Sequence, residues 1–292
     1  MLEMQRRVQA YWNAKPCDWE LSAAHALTPT FFLEVQAERY RQQPHIPALI
    51  ARHDWAGKRV LEIGTGVGTD ARQLIQRGAI YTGINTDAGS TLASATALQT
   101  FGLPGRVLQM DATSMDFRDA SFDLVYTFGV LHHIPDAVGA MREIMRVLRP
   151  GGEVLAMLYN RTSINYALEI RVLRKLGARV LGLPGAVELL ARLGLPRGKL
   201  ERHRELARRA VRMSDEEWLS RNTDGPDNPY SRVYGAGEAA ALFAGFDIER
   251  QEVFFFNHEH WGMLGRALPQ RLVRALGRRW GWHRVVHARK PA

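Results

Sequence analysis

Cysteine is almost absent: Cys17 is the only one in 292 residues, so no internal disulfide can form, and one thiol without a Cys/His cluster makes no zinc site. Long apolar runs are missing too. No stretch approaches the length of a membrane span, and the N-terminal MLEMQRRVQAYW places charges and aromatics where a secretion signal needs an unbroken apolar segment. The expectation is a folded cytoplasmic protein with no metal. Acidic residues are scarce in two regions: residues 266–292 hold 8 Lys and Arg and no Asp or Glu, and residues 161–212 hold 13 against 4. The rest of the chain is net negative, so the formal charge of +9 belongs to those two segments. Apolar residues at 46% and charged ones at 24% exclude a disordered or collagen-like chain.

What is present is a change of texture at Lys58. Residues 1–56 are rich in aromatics and broken by Pro16, Pro29, Pro44 and Pro47, the pattern of short helices joined by turns. Then RVLEIG, AIYTGIN, RVLQMDA, FDLVYTF and EVLAMLY read as buried strands. Stretches with helical spacing of apolar residues separate most of them, among them Ala71, Leu74 and Ile75, then Val138, Met141, Ile144, Met145 and Leu148. Strands alternating with helices imply right-handed crossovers and a parallel sheet covered on both faces, with ligands at the carboxyl ends of its strands. After Asn160 the alternation gives way to basic helical stretches over 164–182, 186–194, 199–212 and 214–221. Strand character returns at FDIERQEVFFF and WHRVVHARK.

Three strand ends carry chemistry. The first runs from Glu62 into Gly64-Thr65-Gly66-Val67-Gly68, followed by Thr69. A dinucleotide fingerprint spaces its glycines G-x-G-x-x-G to bring a pyrophosphate to a helix N-terminus, whereas the spacing here is G-x-G-x-G. The second ends Asn85-Thr86-Asp87, where a side chain can engage ribose hydroxyls. Asn85 occupies the position that favours an acid, and Asp87 is close enough to share the contact. The third ends Met110-Asp111-Ala112. A glycine turn or a strand-end acid alone is a weak signal, since turns use both for backbone reasons. Three in register are a strong one.

Together VLEIGTGVGTD, MDA and SFDLVYTFGVLHHIPD…MREIMRVLRPGGEVL, over roughly residues 57–160, resemble the class I S-adenosylmethionine-dependent methyltransferases, in particular the bacterial small-molecule branch related to ubiquinone and menaquinone methyltransferases. The resemblance implies an α/β Rossmann-like fold: a doubly wound, seven-stranded, mostly parallel sheet with a helical insertion before the closing antiparallel strands. It implies S-adenosylmethionine as cofactor and S-adenosylhomocysteine as product. Glu62, Gly64, Thr65, Gly66, Gly68 and Thr69 would hold the methionyl end, Asn85 and Asp87 the ribose, Asp111 and Ala112 the adenine, and the carbonyls of Thr127 and Phe128 the methionyl amine. The expected organisation is an N-terminal helical cap (1–56), the cofactor-binding core (57–160), a basic helical insertion on the acceptor side (161–235), and closing strands with a basic C-terminal segment (236–292).

The acceptor is less legible. His132 and His133 follow the fourth strand at the mouth of the site, and histidine suits proton removal at neutral pH. They are the candidate catalytic residues, although a positioned nucleophile can react without a base. Tyr40, Tyr166 and Tyr230 are the candidate substrate contacts. Asp227-Asn228-Pro229-Tyr230 has one proline and lies in the insertion, so it reads as a turn, and Phe254, Phe255 and Phe256 read as core. A small, apolar acceptor is favoured over a nucleic acid, for which the Arg-rich segments would track phosphates. A non-catalytic cofactor-binding relative is the third reading. The insertion pairs apolar residues at helical spacing with Arg171, Arg174, Lys175, Arg179 and Arg192, the arrangement of a lid or of a helix lying on a membrane surface. Oligomeric state is not legible.

Overall fold

β1 (Arg59–Ile63) is buried from Val60 onward and lies mid-sheet, with parallel neighbours β2 (Ile80–Asn85) and β4 (Phe122–Phe128) on either side. A strand covered on both faces needs such an apolar run. β3 (Arg106–Gln109) extends the sheet past β2, and β5 (Leu148–Tyr159) extends it past β4. In this computed structural model, which describes residues 2–192, 196–210, 213–261 and 265–292, the strand order is β3-β2-β1-β4-β5-β7-β6. β6 (Asp247–Phe254) and β7 (His283–Arg289) close the sheet, with β7 between β5 and β6 and antiparallel to both. This is the expected doubly wound seven-stranded sheet with one reversed strand. Its order reverses between β1 and β4, and there the carboxyl ends of the strands open a crevice.

Two apolar layers cover it. On one face α3 (His45–Ala51), α4 (Thr69–Gln76) and α5 (Ala88–Thr100) bring Ile46, Ile50, Leu74 and Leu98 against Leu124 and Tyr126 of β4. On the other, α6 (Ala137–Val147) brings Met141, Ile144 and Val147 against Val125 and Val154. The alternation along β4 follows from the two-residue period of a strand. Asp136 fixes where α6 starts, its carboxylate accepting the Gly139 N–H at 2.9 Å.

The N-terminal segment forms α1 (Leu2–Ala14), a short turn of helix at Trp19–Leu21, and α2 (Pro29–Gln42), which begins with proline in its first turn and has Thr28 as cap. The basic stretch 164–182 is a π-helix over Asn165–Leu173 continued by α7 (Arg174–Leu181). The stretches 186–194 and 199–212 are Ala186–Arg192 and Arg197–Ala210, with residues 193, 194, 211 and 212 outside the described residues. Two helices unmarked in the sequence reading, Ala236–Leu242 and Gln270–Trp280, flank β6.

Leu124 is fully buried at the centre of the sheet. Leu124→Ala should lower stability by about 2–5 kcal/mol, the usual cost of a Leu-sized cavity. Val138→Ala, at a 61% exposed position, should change it by less than about 0.5 kcal/mol. Urea unfolding followed by circular dichroism measures both.

Candidate active site

The turn after β1 holds Gly64, Gly66 and Gly68 at φ of +78°, +53° and +79°, a region that side-chain-bearing residues rarely adopt. A Cβ on Gly64 would lie 2.2 Å from the Val130 side chain. On Gly66 it would meet nothing closer than Cys17 at 3.7 Å. Gly66 thus leaves its side of the turn open to a cavity of ≈ 230 Å³ lined by the carboxyl ends of β1, β2 and β4. Gly68 does something else. It caps α4, and a Cβ there would press on the Ser94 backbone of α5 at 3.2 Å, so its missing side chain serves helix packing. Of the residues expected around a cofactor, all line the cavity except Gly68 and Thr127, which is fully buried within β4.

The cavity wall carries six carboxyl groups, from Asp18, Glu62, Asp70, Asp87, Asp111 and Asp224, against one guanidinium, Arg39. In a chain of net charge +9, that local excess of negative charge repels phosphate and attracts a cation. Asp70 is buried and accepts from Arg39 Nη2 at 3.1 Å and from the hydroxyls of Tyr40 and Tyr126 at 2.9 Å each. Glu62 accepts from the Tyr81 hydroxyl at 2.6 Å. Burial and the neighbouring Asp70 carboxylate nevertheless push the Glu62 carboxyl well above the usual carboxylate range. A positive charge beside it would favour its ionised form.

At the other strand ends, Asn85 Nδ2 donates to Thr65 Oγ1 at 2.6 Å, and Thr65 Oγ1 to Ser94 Oγ at 2.8 Å. The amide nitrogen of Asn85 is therefore spent inside the turn, and its oxygen is the atom suited to a ligand hydroxyl. One oxygen of Asp87 caps α5 by accepting the Ser90 N–H at 2.7 Å. Asp111 Oδ1 takes both the N–H and the hydroxyl of Thr113 at 2.8 Å, while its Oδ2 accepts from Gln5 of α1. Gln9 of the same helix donates to the Thr86 carbonyl at 2.6 Å. α1 roofs this end. The arrangement fits S-adenosylmethionine: a glycine gap for a close approach, acids at three strand ends, and an anionic wall for a molecule bearing a sulfonium and an ammonium.

The opposite end is polar in a different way. His133 Nε2 faces Asp224 Oδ2 at 3.3 Å, and the Tyr159 hydroxyl donates to Asp224 Oδ1 at 2.8 Å. All three residues line the cavity, and Trp12 packs edge-on against His133 at 5.1 Å. Burial opposes ionisation of Asp224, but the facing His133 and the hydrogen bonds from His133 and Tyr159 outweigh it and hold the carboxyl below its ordinary value. His133 Nδ1 lies 2.9 Å from the Tyr230 carbonyl and 3.1 Å from Ser231 Oγ. Both ring nitrogens are thus engaged by protein. Among these groups the Asp224 carboxylate lines the cavity with an oxygen facing each of His133 and Tyr159.

Four sequence expectations change here. His132 is not at the cavity: it is wholly buried, stacked on Tyr159 at 3.6 Å, and burial followed by the neighbouring His133 and His283 holds it well below the usual histidine range. Adjacent residues of a tight 3-10 turn point to different sides, so the pair cannot share one role. Tyr40, Tyr166 and Tyr230 do not line the cavity either. The Tyr40 hydroxyl goes to Asp70, Tyr166 packs in the core with Ile170 and Trp218, and Tyr230 offers His133 its backbone carbonyl. Asp224 was missed, and nothing in its local sequence marks it. The neighbouring Asp227–Tyr230 stretch is indeed a turn, but one whose Asn228 is buried and donates to Ser231 Oγ at 2.8 Å, bracing the segment that carries Asp224.

Residues 61–156 match the family described as "Methyltransferase domain". Methyltransferase GfsG of Streptomyces halstedii is 36% identical over 102 residues, 34% of this chain and 37% of that protein. A ubiquinone biosynthesis O-methyltransferase of Xanthomonas oryzae pv. oryzae is 34% identical over 154 residues, 51% of this chain and 56% of that protein. The matched stretches thus span about a third to just over a half of those relatives' length. Among solved structures, the [4+2]-cyclase SpnF superposes with a TM-score of 0.54 at 18% identity, over 99% of this chain and 94% of that one, which is a likeness of fold. The sheet, the glycine turn and these matches make the core a class I S-adenosylmethionine-dependent methyltransferase domain, related to small-molecule methyltransferases.

Gly66→Val should weaken S-adenosylhomocysteine binding by at least about tenfold, because a β-branched residue at positive φ costs about 1–3 kcal/mol and its side chain enters the cavity. Calorimetric titration of the folded variant measures it. Binding of S-adenosylmethionine should also release a proton: Glu62 holds one too tightly in the free protein, and a cation lowers its pKa. Affinity should therefore rise with pH through neutrality, and the heat at pH ~7 should depend on the ionisation enthalpy of the buffer.

Proposed function

We propose that the chain transfers a methyl group from S-adenosylmethionine to a hydroxyl of a small, largely apolar acceptor, and that Asp224, supported by His133 and Tyr159, receives the acceptor's proton. Bound S-adenosylmethionine supplies an electrophilic methyl group on a positively charged sulfur. The turn from Glu62 to Thr69, Asn85 with Asp87, and Asp111 with Ala112 are the residues to hold it. Trp12, Phe128 and Met157 line the same cavity as the Asp224 carboxylate and give it apolar surface. An acceptor lying on that surface turns its O–H to Asp224, which takes the proton while His133 and Tyr159 hold the carboxyl group in place. The observation that carries this reading is the Asp224 carboxylate, kept ionised by its neighbours and lining the cavity.

The Xanthomonas relative is named an O-methyltransferase of ubiquinone biosynthesis, which supports an oxygen acceptor. A nucleic acid is disfavoured, since the acidic cavity wall would face its phosphates. Because one structure of this fold is a cyclase, fold alone does not choose the reaction, and the test must read chemistry.

Incubation with S-adenosylmethionine and pooled small phenols and alcohols should yield S-adenosylhomocysteine together with a methyl ether seen by mass spectrometry. Asp224→Asn should lower kcat by roughly 10²–10⁴-fold with cofactor affinity kept. Unchanged turnover in that variant would remove Asp224 from the chemistry.

A further inference from the structure

The helix that follows β5 has apolar residues on two sides. Its inward side buries Tyr166, Ile170 and Leu181, which is enough to seat it on the domain. Its outward side carries Leu168, Val172, Leu176 and Val180, one every fourth residue and 40–53% exposed, and Leu183, 59% exposed, follows just past the helix end. Residues at these spacings share one face of a helix. Leu173 is exposed on the same helix and Leu189 on the next one, Ala186–Arg192: of the fourteen large apolar residues exposed on the described chain, seven fall between Leu168 and Leu189. Folding does not require that stripe, and a soluble surface seldom concentrates exposed apolar residues in this way without a partner.

Its surroundings are basic. From Arg171 to Arg192 the chain holds five Arg and Lys and one acid, Glu188. Two of those cations are paired, Arg174 with Glu169 and Lys175 with Asp215 at the surface, whereas Arg171, Arg179 and Arg192 are exposed. An exposed apolar stripe flanked by exposed arginines is complementary to a surface that is apolar within and anionic at its edge. A second copy of the chain meets the apolar part but not the charge, since it would bring arginines against arginines in molecules of net charge +9. Among the described residues no helix is long and apolar enough to cross a membrane, so contact would be along the surface.

We propose that the outward face of residues 168–189 docks on an anionic lipid bilayer, the leucines and valines entering the acyl boundary and Arg171, Arg179 and Arg192 meeting the headgroups. The proposal is independent of the methyl-transfer reading, since neither the stripe nor its arginines line the cavity. Each arginine at such a surface strengthens binding roughly fivefold at low salt.

The test is co-sedimentation of the intact chain with vesicles of phosphatidylcholine alone, or of phosphatidylcholine mixed with phosphatidylglycerol. The expected result is binding to the anionic vesicles only, weakened by high salt. Leu176→Glu with Val180→Glu should reduce it by at least about tenfold, as should Arg171→Gln with Arg179→Gln. Both pairs are surface changes, and an unchanged melting temperature shows that each variant is folded. Failure to sediment with anionic vesicles at low salt overturns the proposal. So does binding that survives both double substitutions, and so does a dimer in sedimentation velocity that Leu176→Glu with Val180→Glu dissociates, which would make a second copy the occupant.

Discussion

A carboxylate taken out of water has to be matched by donors, and in this chain the one at Asp70 ties the rest together. It receives Arg39 and Tyr40 from the second helix and Tyr126 from the middle of the sheet. Through those bonds the N-terminal segment is fastened beneath the cavity. Arg39 reaches on to Asp18, close to the cysteine that lies over Gly66. Burial first, and Asp70 second, explain the state of Glu62: with the nearby cation already engaged, the second acid is left under-compensated and holds its proton. The free site is therefore short of one positive charge, which a sulfonium or an ammonium would provide.

That arrangement separates two electrostatic regimes. Inside, the cavity is acidic. Outside, the insertion and the C-terminal segment are strongly basic. The basic surface does not extend into the pocket, so the overall charge of the chain says little about its small-molecule ligand and more about what its exterior meets. Reading the net charge as a statement about the site would have pointed to a polyanion.

How much of this was legible followed from how local each signal was. The glycine turn, Asn85 with Asp87, and Asp111 sit at strand ends, where a few adjacent residues fix both conformation and position, and all three groups reach one cavity. Asp224 could not be read that way. It is brought to His133 by a returning segment whose anchors are backbone bonds, Arg232 N–H to the His132 carbonyl at 2.9 Å and Tyr234 N–H to the Tyr159 carbonyl at 2.8 Å. Backbone pairing leaves no side-chain signature. The tyrosines failed for the opposite reason: a phenol is equally at home on a buried acid, in a core or in a pocket, and the surroundings decide which. The two histidines were separated only by the turn that carries them.

The roof of the cofactor end has a mechanical consequence. α1 buries one apolar residue, Val8, packs Trp12 on His133, and is held besides by polar contacts such as those from Gln5 and Gln9. Elements held by so few apolar contacts open at a small fraction of the cost of global unfolding. The sheet and the glycine turn are the rigid walls of this chamber, and the first helix is its cheapest door. A ligand seated beneath this roof can therefore be uncovered by lifting one helix, with the sheet and the glycine turn left intact.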